Sequence, residues 1–432
     1  MTPAARLAAA IEVFAAIEKE RRPAADALKS WGLTHRYAGS GDRAAIAGLV
    51  YDALRRRASS AFVMGADTPR AIVLGMLRRE RELDTEAIAR LADGSKYAPE
   101  VLSGEEHARL DAADMSRAPP YVAGDYPEWL DPHLARVFGE ARAEEGAALA
   151  SRAPLDLRTN TLKGERATSA MLGDLSREPT RWSPWGLRVH LSADAKSPAI
   201  HAEPAFLKGL VEVQDEGSQV AALLSAAKPG EQVVDLCAGA GGKTLAMAAM
   251  MQNKGQIFAT DDDKRRLAHI HDRLKRSGAR NVQVRTPKSV GDEIGDLAGR
   301  MDLVLIDAPC TGTGAWRRNP DAKWRMRPGA LEQRQKEQTE VLDRAVSLVK
   351  AGGRIAYVTC SVLKEENDAQ AQGFLARHSE FVVQPPAEVI QSLGERAFMF
   401  GKAAFLSDLG TLMTPRATDT DGFYVSVMRR VG

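Results

Sequence analysis

The sequence predicts an α/β protein in which a doubly wound, mainly parallel sheet fills the C-terminal half, preceded by an all-α domain and a small α+β segment. Three observations predict it. From residue 206 onward short apolar runs alternate with helical spacing, the pattern of a parallel sheet covered on both faces. The N-terminal stretch shows helical spacing alone. Between them lie short stretches that alternate apolar and polar residues. A chain of 432 residues exceeds one ordinary core. The expected divisions are 1–120 (helical domain and linker), 121–205 (α+β segment) and 206–432 (the large sheet).

In chain order, Leu7, Ile11, Phe14 and Ile17 recur at helical spacing. Ile46, Leu49, Val50 and Leu54 do so again after Gly39-Ser-Gly-Asp42, which can cap the helix. Pro69 in Asp67-Thr-Pro-Arg70 suits the first turn of another helix. Residues 98–125 are acidic, carry Pro119-Pro120 and read as a linker, and Trp129 to Arg142 predicts a helix. Leu155 to Lys163 and Leu187 to Leu191 alternate as half-buried strands do. Val211-Glu-Val then predicts a strand and Ser218 to Leu224 a helix. Val233, Val234 and Leu236 read as a buried strand running through Gly239, Gly241 and Gly242 into a helix that begins near Lys243. Gln256 to Asp261 and Val282 to Val284 predict strands, with a helix through Leu267 and Leu274 between them. Two further strands end at Asp307 and Cys360, and Phe423 to Met428 closes the chain as a strand.

Hydrophobic residues make up 44% and charged residues 27%, as in ordinary globular proteins. No apolar run approaches the roughly 20 residues that span a bilayer, and Met1-Thr-Pro-Ala-Ala-Arg6 lacks a signal-peptide layout. The three cysteines, Cys237, Cys310 and Cys360, have no metal-ligand spacing. They argue against a disulfide scaffold and a zinc site and fit a reducing, cytoplasmic setting. A net charge of only +2 means that nucleic acid would have to be held by local basic patches. Nothing suggests a dimerisation helix, so a monomer is expected.

The strand, glycine turn and helix around residues 231–244 are how an α/β protein brings its backbone close to a ligand. Gly242-Lys243-Thr244 resembles the end of a phosphate-binding loop, but Cys237 stands where that motif needs its first glycine. Thr244 stands where the dinucleotide fingerprint needs its third. S-adenosylmethionine fits better. Its methionine end needs close backbone approach, and its ribose needs a carboxylate at the end of the next strand, where Asp261 stands. The alternative is a turn that serves helix–sheet packing alone.

Asp307-Ala-Pro-Cys310 and Thr359-Cys360-Ser361 set one carboxylate and two thiols at strand ends. That set suits methylation of carbon 5 of a pyrimidine. A thiolate added to carbon 6 makes carbon 5 nucleophilic, and acid–base groups serve the ring nitrogen and the departing proton. A lone cysteine is more often a small buried hydrophobe, the reading preferred for Cys237.

Asp235-Leu-Cys-Ala-Gly-Ala-Gly-Gly-Lys243, Asp307-Ala-Pro-Cys-Thr-Gly-Thr-Gly314, Arg318-Asn-Pro-Asp321 with Lys323-Trp324, and Tyr357-Val-Thr-Cys-Ser-Val-Leu-Lys-Glu-Glu-Asn367 together resemble the RsmB/NOP/Sun family of RNA cytosine-carbon-5 methyltransferases. Val213-Gln-Asp-Glu-Gly-Ser218 and Asp421-Gly-Phe-Tyr424 match as well. The resemblance implies a class I methyltransferase sheet of the Rossmann-like kind. It implies that Cys360 is the nucleophile, that Cys310 helps eliminate and release the product, and that Asp307 holds the flipped base near the cofactor. Cys237, Ala238, Gly239, Ala240, Gly241, Gly242 and Lys243 would line the methionine end of S-adenosylmethionine, and Asp261 would hold its ribose. The sequence departs from the family at Gly239-Ala240, where Ala-Pro is usual, and in Val282 to Lys288, which lacks the usual adenine-binding acid. Asp42 to Arg55 resembles the NusB-like helical domain of the RsmB branch, which methylates a cytosine of small-subunit (16S) ribosomal RNA. Arg158, Asn160 and Lys163 resemble a strand of the family that adjoins the RNA.

A target base must leave its stack to reach Cys360. Trp316-Arg-Arg-Asn-Pro-Asp-Ala-Lys-Trp-Arg-Met-Arg327 interleaves cations with two tryptophans directly after the Cys310 motif. Arg317, Arg318 and Lys323 are therefore candidate RNA contacts, unless these residues pack into the core. Arg55-Arg56-Arg57 could face RNA or simply complement a helix dipole. Three rival readings remain: a transfer RNA as substrate, a DNA cytosine methyltransferase using Cys310 alone, and an RNA-binding assembly factor without turnover.

Overall fold

The computed structural model describes residues 1–164, 172, 176–189, 198–287 and 292–432. Two compact units form: one holds Met1–Arg152 together with Trp316–Met326, the other the remaining described residues.

In the first unit, the helix Pro3–Glu20 starts where the Thr2 hydroxyl accepts from the amide of Ala5, and it buries Leu7, Phe14 and Ile17. The helix Ser40–Arg55 begins at Gly39, whose amide donates to the Asp42 carboxylate, and it buries Ile46, Val50 and Leu54. Both faces enter one core with the helix Pro69–Arg79, which has Thr68 as cap and Pro69 in its first turn. Arg55, Arg56 and Arg57 pair with Asp52, Glu80 and Glu18. The cluster therefore holds the bundle's own acids.

The stretch read as a linker is largely packed structure. Ser103 and Glu106 form a reciprocal cap on the helix Gly104–Ala112, whose Leu110 is buried, and Asp125 is buried against the amide and hydroxyl of Ser59. Acidic composition concealed a capping box, in which the acid serves the helix N-terminus. The helix read over Trp129 to Arg142 is broken. It runs Asp131–Phe138, turns at Gly139 (φ 56°) and resumes as Arg142–Leu149.

Trp316–Met326 belongs to this helical unit. Lys323 Nζ donates to the carbonyl of Arg55 at 3.1 Å, and Trp324 Nε1 donates to that of Leu54 at 2.7 Å. Burial pushes the Lys323 ammonium down to about 7 from an ordinary 10.5, with Asp125 opposing the shift and Arg55 and Arg56 adding to it. Between these two values the unfolded chain binds the extra proton. This group's contribution to stability is thus complete above pH 10.5 and is lost as pH falls through about 7. Urea unfolding of Lys323→Met against the parent should shift in the variant's favour by a few kcal/mol between pH 10 and pH 6. A difference constant with pH would mean that the buried amine stays charged throughout.

The second unit carries two sheets. The smaller has the order β2-β3-β1-β4, with β1 Leu155–Thr159, β2 Arg177–Pro179, β3 Gly186–Val189 and β4 Val211–Val213, all antiparallel. Val211–Val213 was expected in the large sheet but pairs with β1, so the small sheet is completed beyond residue 206. His190 and Leu191, read into β3, lie outside the described residues.

The larger sheet has nine strands among the described residues. These are β5 Gln232–Asp235, β6 Gln256–Ala259, β7 Val282–Val284, β8 Met301–Asp307, β9 Val349–Thr359, β10 Phe381–Val383, β11 Phe405–Leu406, β12 Thr411–Met413 and β13 Phe423–Arg430. Their order is β11-β12-β13-β9-β8-β5-β6-β7, with β10 also on β13. β7, β6, β5, β8 and β9 run parallel, and β13 enters antiparallel beside β9. Chain order reverses at β5 and β8, the switch point where such sheets bind ligands at the carboxyl ends of their strands. Val233, Leu303, Leu305, Ala356 and Val358 are fully buried in the sheet's core. No helix among the described residues is long and apolar enough to cross a membrane.

Candidate active site

β8 and β9 lie in parallel register with Asp307 beside Val358, so the residues just past them leave the sheet together. Cys310 Sγ and Cys360 Sγ stand 3.3 Å apart. Their loops are stitched together. The amide of Gly314 donates to the carbonyl of Cys360 at 2.9 Å, and that of Val362 donates to the Thr313 hydroxyl at 2.9 Å. The amide of Gly422, just before β13, donates to the carbonyl of Gly314 at 2.9 Å.

The glycine turn sits at the end of β5, where Gly239 (φ 52°) and Gly241 (φ 84°) take the left-handed conformation that favours glycine. Asp261, past the end of β6, accepts the amide of Gly239 at 2.8 Å and that of Asp263 at 2.9 Å. Lys243 Nζ donates to Asp307 at 2.7 Å and lies over the Phe423 ring, which fixes that carboxylate beside the turn. Asp235 is fully buried, and one of its oxygens accepts from the Thr244 hydroxyl at 2.6 Å. Its other oxygen has no partner. Burial pushes this carboxyl up to about 7. A Cβ on Gly242 would meet nothing nearer than 3.7 Å. An open glycine cradle above a buried acceptor in want of a donor fits the ammonium end of S-adenosylmethionine, and Asp261 stands at the next strand end for its hydroxyls. Lys288, last residue of the stretch expected to lack an adenine acid, lies outside the described residues. Arg285 within that stretch bonds to Asp296 and to the carbonyl of Glu293.

The thiols differ. The contact with Cys360, burial and the charge of Glu366 push the Cys310 thiol up. Burial among Asp235, Asp261 and Asp307 pushes Cys237 up as well, which suits a packing role for it. Glu366 lies within the Thr-Cys motif. Its carboxylate accepts from the amide and hydroxyl of Thr311 and from Gln338 Nε2. Its partner Thr311 lies 55 residues away in sequence, so no local spacing reveals it.

Most of the residues expected to meet RNA are interior. Arg158 is buried with Nε on Gln214 at 2.6 Å. Asn160 is buried, donating to the carbonyls of Gly209 and Ser277, and so ties the small sheet to the helix Ile270–Ser277. Arg317 and Lys323 are buried in the helical unit with Trp316, and Trp324 is half-buried. In this structure the polar groups of Arg158, Asn160 and Lys323 are taken up by internal hydrogen bonds. Arg318 is half-buried. Lys163 is exposed, its ammonium on the carbonyls of Lys208 and Arg276. Among the described residues no group of three or more acids, histidines or cysteines could hold a metal ion.

Residues 222–429 match the family described as 16S rRNA methyltransferase RsmB/F. A Synechocystis sp. relative described as "Probable ribosomal RNA small subunit methyltransferase B" is 32% identical over 68% of this chain and 68% of its own. An Escherichia coli ribosomal RNA small subunit methyltransferase B is 34% identical over 59% of this chain; the match spans 58% of that relative, under two thirds of its length. Among solved structures, a methyltransferase homologue from Pyrococcus horikoshii aligns with 74% of this chain and all of its own at 25% identity and a TM-score of 0.59. The structure of PH0851 aligns with 100% of this chain and 99% of its own at 24% identity and a TM-score of 0.70, a likeness of fold.

Proposed function

Because the chain belongs to the RsmB/F family of 16S rRNA methyltransferases, we propose that it moves a methyl group from S-adenosylmethionine to carbon 5 of a cytosine in small-subunit ribosomal RNA, with Cys360 transiently bonded to carbon 6. The observation that carries this reading is the pair of thiols 3.3 Å apart at adjacent strand ends, beside an Asp307 oriented by Lys243. A methyltransferase acting on oxygen or on an exocyclic nitrogen needs no such pair.

When bound, the cofactor supplies a methyl group activated by a positive sulfur, and the sulfur–carbon bond breaks as carbon 5 takes the methyl. The chain's residues do the rest. The Cys360 thiolate forms an Sγ–C6 bond, the ring's electron pair moves toward carbon 5, and nitrogen 3 takes a proton. Asp307 is the carboxyl group beside the cradle for holding the base at that nitrogen. After transfer a solvent base takes the carbon 5 proton, the electron pair of that bond becomes the carbon 5–carbon 6 double bond as the Sγ–C6 bond breaks, nitrogen 3 returns its proton, and Cys360 is a thiolate again. Cys310 stands in contact with that sulfur throughout, placed to assist the elimination.

The test is methyl transfer from labelled cofactor to small-subunit ribosomal RNA from cells lacking this protein, followed by digestion to nucleosides. Label in 5-methylcytidine is expected. Label in another nucleoside, or none, would overturn the reading. Label in transfer RNA alone would keep the chemistry and change the substrate.

A further inference from the structure

We propose that Glu366 is the positioning residue that divides the work between the two thiols: its carboxylate ties the Cys310 loop to the Cys360 loop and leaves the nucleophile's part to Cys360. The inference rests on the cysteine chemistry proposed above.

The loop geometry supports it. Glu366 follows Cys360 by less than two turns of chain, in a short 3-10 turn at Lys364–Glu366. One carboxylate oxygen accepts the amide of Thr311 at 2.8 Å and Gln338 Nε2 at 3.0 Å, and the other accepts the Thr311 hydroxyl. Thr311 is the residue after Cys310, so these bonds set where the Cys310 sulfur lies. Gln338 Nε2 also donates to the carbonyl of Pro309 at 2.9 Å. The Cys310 loop is thereby held on both sides of its cysteine. The far end of Glu366 is fixed too: its carbonyl accepts the Tyr357 hydroxyl at 2.7 Å, and Asn367 bonds the Thr359 hydroxyl and the carbonyl of Ser361 on either side of Cys360. One residue thus joins both thiol loops.

Its charge matters as much as its bonds. Glu366 is fully buried; burial pushes its carboxyl up, while hydrogen bonds from the neutral Ser361, Thr311 and Gln338 draw it back toward the charged form. A buried acid held by hydrogen bonds alone is retained at a price in stability, which asks for a use. A negative charge beside Cys310 disfavours a second thiolate there, and the Cys310 thiol is pushed up. At 3.3 Å a Cys310 that keeps its proton can donate a hydrogen bond to a Cys360 thiolate. The pair then carries one negative charge, on the sulfur meant to attack.

The experiment uses the full chain. In a Cys237→Ser, Cys360→Ser background, the rate of alkylation of Cys310 by iodoacetamide is followed against pH, with and without Glu366→Gln. Glu366→Gln should lower the pH midpoint by about one unit or more. An unchanged midpoint would overturn the proposal. Glu366→Asp keeps the charge and shortens the reach. It should hold the midpoint near that of the parent, and in the chain with its three cysteines intact it should lower methyl transfer about tenfold with KM for RNA within about twofold. If both variants move the midpoint alike, the role is one of packing and the proposal fails. Should Glu366→Gln not fold, as judged by thermal melting, the aspartate variant alone decides. Alkylation requires no turnover. Loss of the wider reading would therefore show as no methyl transfer by the parent protein, with the midpoint shift intact.

Discussion

Cys310→Ala protein purified from cells should carry RNA bonded to it, seen as a slow-migrating band on a denaturing gel that collapses on ribonuclease treatment. The expectation follows from the two loops' geometry. Cys360 sits directly at the end of β9, and Cys310 touches its sulfur at 3.3 Å. On the proposed scheme, removing Cys310 leaves the attacking thiol in place but removes its neighbour placed to assist release. The adduct forms and is not released. Adding Cys360→Ser should remove the band. Cys360→Ser alone should lower methyl transfer by on the order of a thousandfold or more, because serine is a far weaker nucleophile at neutral pH. A band that survives Cys360→Ser would reverse the roles of the thiols. Methyl transfer that survives it and dies only with Cys310→Ala would favour the scheme in which Cys310 alone attacks.

Gly314→Ala should be strongly damaging to the loops that carry the two thiols. A Cβ there would fall 2.1 Å from the carbonyl oxygen of Gly422 and 2.6 Å from its carbon, and both are backbone atoms that no rotamer can move aside. Two hydrogen bonds pass through this residue, to Cys360 on one side and from Gly422 on the other. The backbones must separate, and the Cys360 loop moves with them. A loss of about 2–4 kcal/mol is expected by urea unfolding, with methyl transfer down at least tenfold even where the variant remains folded. Gly422→Ala, whose Cβ would meet Gly314 Cα at 2.6 Å, should behave alike. Gly329→Ala is the control. Nothing lies within 4 Å of its Cβ, in the first turn of the helix Pro328–Val346, and it should be neutral or slightly stabilising. If Gly314→Ala matches the control, the two loops are not held through that glycine pair.

The catalytic sheet was legible because its evidence is local. Val233 and Val234 before a glycine turn, and Ile306 before Asp307-Ala-Pro-Cys310, show their buried strands and ligand-facing ends within a few residues. Parallel strands share one direction, so motifs that end strands come together whatever their separation in sequence. What resisted reading depends on distant partners. The cations of Trp316–Met326 look like a surface patch until the carbonyls of Arg55 and Leu54 are seen to receive Lys323 and Trp324. Arg158 needs Gln214, and Asn160 needs Ser277, before either can be recognised as internal struts. The three residues of β4 are too few to announce which sheet they join. Glu366 stood inside a recognised motif, but its use lies in a loop whose cysteine precedes it by 50 residues and more.

The polypeptide leaves the catalytic unit after Ala315, contributes Trp316–Met326 to the helical bundle, and returns at Arg327. The chain therefore enters the helical unit twice. A fragment trimmed to begin at Ala153 would retain this excursion but lose the helices that bury it. Lys323, Trp316 and Arg317 would then be displayed to solvent on a tether only a few residues from Cys310. Excising the bundle is thus not a neutral truncation: it removes the fold template for a piece of the catalytic chain itself. Supplying the missing helices as a separate polypeptide would be fragment complementation, with the excursion as the segment shared between the halves.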